Sequence, residues 1–199
     1  MPGWKIAHNK TELLDNAKKL GFPVLVRPSY VLAGEGMIIA KSENELKNYI
    51  LTSPKDIFNK SVLIDKFLDH AVEIDVDFVS DGEKTMSFIL EQLDPAGIHS
   101  GDSSCVYPPQ KLKLSLQKRI TKMVDVISKA FKIVGIANIQ CAIVGGEVYI
   151  LEINPRGSRT VPFISKCIGF SLSKLATKLV MGEKIVKKEF QKNGLVSIK

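Results

Sequence analysis

The chain has 199 residues, 45% hydrophobic and 25% charged, with only 9 Pro and 14 Gly; this excludes a disordered or collagen-like chain and leaves enough apolar side chains for a buried core. Its apolar runs, such as Phe22 to Val26 and Val148 to Leu151, fall far short of the roughly 20 residues that cross a bilayer, so the expectation is a soluble, cytoplasmic protein with no membrane partner. The 28 Lys and Arg against 21 Asp and Glu leave +7, which favours anionic partners, but the charge concentrates in Lys111 to Lys132 and Lys184 to Lys192 at the spacing of solvated helix faces, and with no aromatic ladder a nucleic-acid groove has little support.

In chain order, Thr11 to Leu20 predicts a helix with Leu13, Leu14, Ala17 and Leu20 on one side and Gly21 as its stop. Pro23 to Arg27 and Met37 to Lys41 read as short strands, Ser42 caps a helix to about Leu51 with Glu45 as its capping-box partner, and Val62 to Lys66 is a third strand. Glu73 to Val79 and Lys84 to Gln92 form a hairpin about Asp81-Gly82; Ser115 to Phe131 is the longest helix; Ala137 to Val144 and Glu147 to Ile153 form a second hairpin about Gly145-Gly146; Leu172 to Met181 is a helix ending at Gly182. The expected fold class is α+β, with a lobe over 1–67 and a larger one over 68–199, joined near Phe67 to His70 so as to leave a cleft. Cys105, Cys141 and Cys167 are far apart and without CxxC spacing, which points to structural thiols and not to a disulfide framework or a cysteine zinc site.

The second hairpin carries the chemistry. Alternation places Ile150, Glu152 and Asn154 on one strand face and Tyr149, Leu151 and Ile153 on the other. Gln140 joins Glu152 on that face if the connecting loop holds an odd number of residues, such as a three-residue turn at Gly145-Gly146. Converging oxygens of Gln140, Glu152 and Asn154 would suit Mg²⁺ or Mn²⁺ held together with phosphates; the alternative is a set of polar residues on a half-exposed strand. Arg156 and Arg159 follow at once and bring two forked donors for phosphate or carboxylate oxygens, or else surface ion pairs. Arg27 ends an apolar strand, and the loop Val31 to Gly36 holds Gly34 and Gly36, which would let backbone amides approach a phosphate. A second glycine-punctuated loop runs from Ala96 to Ser103, and its His99 is either a surface side chain or a partner of ribose or phosphate.

Val26-Arg27-Pro28-Ser29-Tyr30-Val31-Leu32, Glu73-Ile74-Asp75-Val76-Asp77, Ala96 to Ser103, Glu152-Ile153-Asn154-Pro155-Arg156 and Thr160-Val161-Pro162-Phe163-Ile164-Ser165-Lys166 together resemble the large chain of carbamoyl-phosphate synthetase, from about residue 2 to 184. The wording of His99 to Ser103 and Arg159 to Phe163 is similar to its second, carbamate-phosphorylating half. The resemblance implies an ATP-grasp fold, in which two lobes clamp ATP. It implies that Arg27 contacts the phosphates, that Lys66 and Leu68 lie at the hinge near the adenine, that Glu73 accepts from the ribose, and that Gly97, Ile98, His99 and Ser100 line the nucleotide site. By the same resemblance, Gln140 and Glu152 serve both nucleotide and metal, Asn154 completes the Mg²⁺ or Mn²⁺ ligands, and Arg156 and Arg159 steady the transferred phosphoryl group and the carbamate or bicarbonate. Lys66 departs from a position that is often Arg or another base in relatives. The implied partners are the rest of the large chain and a glutaminase small subunit or domain, and the implied product is carbamoyl phosphate for pyrimidine and arginine biosynthesis. Family members carry a domain before this region and an oligomerisation or allosteric region after it, so the expectation is an excised domain that binds ATP with weak or no turnover. The alternatives are another ATP-grasp carboxylate ligase, which would keep the ATP and metal residues but not Thr160 to Lys166, and a non-catalytic nucleotide-binding assembly module.

Overall fold

The computed structural model describes residues 3–29, 36–54, 57–58, 60–95, 103–186 and 196–199. It divides into two compact units, Met1–Asp69 and His70–Lys199.

In the first unit, β1 (Trp4–Ala7), β2 (Val24–Pro28), β3 (Ile38–Ala40) and β4 (Val62–Lys66) form an antiparallel sheet in the order β1-β4-β2-β3. Helices α1 (Lys10–Leu20) and α2 (Glu43–Thr52) bury Leu13, Ala17, Leu46 and Ile50 against Val24, Val26, Ala40 and Ile64. Both helices start as their sequences dictate. The Asn9 side chain accepts from Glu12 N at 2.8 Å while Glu12 accepts from His8 N, and Ser42 Oγ accepts from Glu45 N at 3.2 Å while Glu45 accepts from Lys41 N. The face of this sheet turned away from the helices carries Trp4, Ile6, Leu25, Arg27, Ile39, Leu63 and Asp65.

The second unit is built on a larger antiparallel sheet of β5 (Val72–Asp81), β6 (Thr85–Gln92), β7 (Cys105–Tyr107), β8 (Val134–Val144), β9 (Glu147–Asn154) and β10 (Ser197–Ile198), in the order β10-β7-β6-β5-β8-β9. Helix α3 (Leu114–Ala130) covers one face, with Ile120, Val124 and Ile127 packed on Ile74, Val76, Phe78, Ile89, Ile139 and Cys141. Its Lys118, Lys122 and Lys129 are exposed, as the spacing predicts for a solvated face; of the second basic stretch, 187–192 lies outside the described residues. Helices α4 (Val161–Cys167) and α5 (Leu172–Val180) cover part of the other face over Phe88, Leu90 and Val79. All three cysteines are free, and burial pushes the Cys141 thiol up to about 12, so it packs as a small apolar group.

Four elements go unannounced by the periodicity: β1, β7, α4 and β10. Each is seven residues or fewer, too short to display a hydrophobic period, and β10 exists only because Ser197 and Ile198 find Tyr107 and Val106 across the chain.

Candidate functional site

The β8–β9 hairpin differs from expectation in two linked ways. Its loop is the two-residue Gly145-Gly146, with Val144 paired to Glu147 and both glycines at positive φ (59° and 83°), the conformation that such a turn needs. The extra residue sits instead in the strand: Cys141 pairs with Ile150 but Gln140 pairs with Glu152, leaving Leu151 as a bulge. The bulge reverses the alternation, so Ile150 does not share a face with Glu152 and Asn154. Val148, Ile150 and Ile153 pack on the α3 side, while Glu152 and Asn154 point to the opposite face. The apolar spacing of two and then three residues was the available signal.

Two rows of polar side chains cross that face. Asp75, Gln140 and Glu152 are successive cross-strand partners, as are Asp77, Asn138 and Asn154. Gln140 therefore lies directly opposite Glu152, with Asn154 two residues along; Glu152 is exposed, and Gln140 and Asn154 are partly buried. Pro155 ends the strand. Arg156 N donates to Asn154 O at 2.8 Å, Arg156 Nη1 donates to Gly157 O at 3.2 Å, and Arg156 and Arg159 are exposed. Among the described residues, no three His, Cys, Asp or Glu side chains stand close enough to hold a cation. A cation at Glu152 would therefore draw on the amide oxygens of Gln140 and Asn154. An all-oxygen, amide-and-carboxylate set fits Mg²⁺ or Mn²⁺ and not zinc.

The first unit places its candidates on its own sheet. Arg27 Nε and Nη2 both reach Asp65 Oδ2, at 2.7 and 2.5 Å. Lys66 Nζ donates to Gly21 O and Phe22 O at 2.8 and 2.9 Å, fastening β4 to the turn that ends α1. Leu68 is partly buried in the segment after β4. In the second unit Glu73 pairs with Ala142 near the start of β5. Gly97, Ile98, His99 and Ser100 lie outside the described residues, as does Gly34 of the first glycine loop.

Sequence reasoning gave no role to the buried groups of these rows or to those bonded to them. Asp75, Asp77, Asn138, Gln92 and Thr160 are each at most 7% exposed. Burial pushes the Asp77 carboxyl above its ordinary value; hydrogen bonds from Ser158, Thr160 and Asn138 pull it back, and the Asp75 charge adds to the rise. The signal was Glu73, Asp75 and Asp77 at period two in an otherwise apolar strand.

The family model described as carbamoyl-phosphate synthase L chain, ATP binding domain, matches residues 1–188. The chain belongs to the carbamoyl-phosphate synthase large-chain family. It is 48% identical over 180 residues to the carbamoyl phosphate synthase large chain, C-terminal section, of Methanocaldococcus jannaschii, covering 90% of this chain and 29% of that one. It is also 48% identical over 185 residues to the large chain of Thermotoga neapolitana, covering 92% of this chain and 17% of that one. The chain thus spans less than a third of these carbamoyl-phosphate synthase relatives. Among solved structures, the biotin carboxylase of Campylobacter jejuni in its β-γ-ATP complex superposes with a TM-score of 0.77 at 14% identity, over 94% of this chain and 44% of that one. The N5-carboxyaminoimidazole ribonucleotide synthetase of Thermus thermophilus does so with 0.77 at 16% identity, over 94% and 49%. The fold of this carbamoyl-phosphate synthase family member is therefore α+β ATP-grasp.

Proposed function

We propose that this chain is an ATP-binding domain that acts in transfer of the ATP γ-phosphoryl group to carbamate, giving carbamoyl phosphate and ADP, within a longer cytoplasmic large chain that serves pyrimidine and arginine biosynthesis. The observation that carries this is the direct pairing of Gln140 with Glu152, with Asn154, Arg156 and Arg159 immediately beyond, in a chain of this family. That the M. jannaschii relative is a C-terminal section supports the second, carbamate-phosphorylating half.

In this reading Gln140, Glu152 and Asn154 hold Mg²⁺ or Mn²⁺, which when bound supplies charge neutralisation between phosphate oxygens. Arg156 and Arg159 bind the transferred phosphoryl group and the carbamate. Carbamate is already anionic, so no side chain need remove a proton from it; the residues contribute orientation and fixed positive charge. Arg27, Lys66, Leu68 and Glu73, together with Gly97, Ile98, His99 and Ser100, hold the nucleotide. Arg27 and Lys66 keep N–H donors for it beyond those given to Asp65 and to the Gly21 and Phe22 carbonyls. Ammonia reaches the longer chain from a glutaminase subunit or domain.

Thermal unfolding with and without Mg²⁺-ATP tests the proposal, because a ligand of the folded state alone stabilises it, by about 2.7 kcal/mol at a hundredfold excess over Kd. The expected result is a rise in Tm for the parent that Glu152→Ala abolishes. No rise for the parent at millimolar Mg²⁺-ATP, or an equal rise in the variant, would count against the assignment.

A further inference from the structure

The polar rows continue inward as a chain of buried side chains to which the proposed reaction gives no task. Ser103 Oγ donates to Gln92 Oε1, and Gln92 Nε2 donates to Asp75 Oδ2 at 2.6 Å. Asn138 Nδ2 donates to Asp75 Oδ1 at 3.4 Å and to Asp77 Oδ1 at 3.2 Å, and Thr160 Oγ1 closes the chain by donating to Asp77 Oδ2. All six residues are buried. Among the described residues, neither aspartate has an ion-pair partner. Two carboxylates in one buried layer, with no cation paired to them among the described residues, are a costly way to fill a sheet face that Phe88 and Leu90 fill alongside, packed with Val161 of α4.

The chain's two ends show what it connects. Asp77 and Asp75 are the cross-strand neighbours of Asn138 and Gln140, which are themselves opposite Asn154 and Glu152. Thr160 ends the segment that carries Arg156 and Arg159, and its hydroxyl also meets Ser158 Oγ at 2.7 Å. The Thr160 link to Asp77 is thus a tether from the arginine segment to the strands that present the ligand rows. We infer that Asp77 is a positioning residue which, through Thr160 and Asn138, holds Arg156 and Arg159 in register with Gln140, Glu152 and Asn154, so that contact with the transferred phosphoryl group depends on this buried link. The inference rests on the ATP reading above.

Thr160→Val removes the hydroxyl at nearly constant volume, and Thr160→Ser keeps it. The affinities of parent, Thr160→Val, Thr160→Ser and Arg156→Ala for Mg²⁺-ATP and Mg²⁺-ADP are measured by calorimetry, with amide exchange followed at Gly157 to Thr160. Thr160→Val is expected to weaken ATP by roughly tenfold while ADP stays within about twofold, as Arg156→Ala does, because only ATP carries the group that the arginines hold. Thr160→Ser is expected to restore ATP binding, and exchange should quicken in Thr160→Val alone. Equal loss of ATP and ADP in Thr160→Val would reduce the link to a structural one and overturn the inference. So would parent-like ATP affinity in Thr160→Val beside a loss in Arg156→Ala, with the ATP reading left standing. Failure of the parent to bind either nucleotide sinks the ATP reading and takes the positioning role with it.

Discussion

Asp77 and Asp81 lie on the same strand, and their surroundings shift the two carboxyls in opposite directions. Burial raises Asp77. Burial also acts to raise Asp81, but backbone N–H groups of Lys84, Ile185 and Glu83, with the Lys184 charge, outweigh it and hold that carboxyl below its ordinary 3.8. Linkage then fixes the signs. The contribution of Asp81 to stability is present above 3.8 and is lost as pH falls through its folded value; that of Asp77 is full below 3.8 and is lost as pH rises through its folded value. Asp77→Asn is expected to cost about 1–3 kcal/mol at low pH, where the parent's contribution is full, since one acceptor for Thr160 or Asn138 becomes a donor, and to cost less as pH rises. It should also remove the part of the decline in stability that the parent shows as pH rises above 3.8. Urea unfolding of parent and variant at stepped pH reads this as a difference between the two curves; a constant gap across the whole range would show that Asp77 titrates normally. In the sequence Asp81 already stands in the turn Asp81-Gly82, whereas Asp77 is one of three acids at period two in a strand. That Asp77 is buried among hydroxyl and amide groups depends on Thr160 and Asn138, 83 and 61 positions away, and the long-range bond of Asp81 comes from Ile185, 104 positions away.

At the scale of elements, the long hairpins were legible because their strands alternate and their turns carry Asp81-Gly82 and Gly145-Gly146. The bulge at Leu151 was not. A strand bulge and an odd loop bring Gln140 and Glu152 to the same pairing, and choosing between them requires the side of the sheet on which α3 packs, since that side claims Ile150. Gly135 shows a similar dependence at the start of β8. Its φ is +100°, and a Cβ there would meet Val180 Cγ2 at 2.9 Å, where α5 crosses the strand. Gly135→Ala is therefore expected to destabilise the chain by about 2–4 kcal/mol, combining a strained backbone with an overpacked contact. Chemical denaturation measures it. A loss below about 0.5 kcal/mol would mean that α5 gives way at Val180, and pairing the substitution with Val180→Ala separates the steric part from the backbone part.

At the scale of the molecule, each unit has its own core. The residues from His70 onward bury apolar side chains on both faces of their sheet, whereas those up to Asp69 bury them on one face, under α1 and α2. A domain near 60 residues buries only about 60% of its unfolded surface and is marginal. The expected outcome is that 70–199 made alone unfolds cooperatively on heating, followed by circular dichroism, while 1–69 alone gives a broad transition or none. A broad transition for 70–199 would show that its packing depends on the other unit. The candidates fall in both units: Arg27, Lys66 and Leu68 lie among the residues up to Asp69, whereas Glu73, Gln140, Glu152, Asn154, Arg156 and Arg159 lie from His70 onward.

The sequence by itself determined the α+β class, the long hairpins, four of the five helices, and a carboxylate and two amides that stand ahead of two arginines. These are local properties, set by periodicity, turn chemistry and family motifs within a few residues of one another. Only the tertiary structure decided that a bulge and not the loop sets Gln140 opposite Glu152, that Asp75 and Asp77 are the buried ends of the two polar rows, and that Thr160 ties the arginine segment to Asp77. Each of those depends on which strand becomes a neighbour and which face a helix covers, and that is settled by burial of apolar surface over the whole sheet and not by any short stretch of chain.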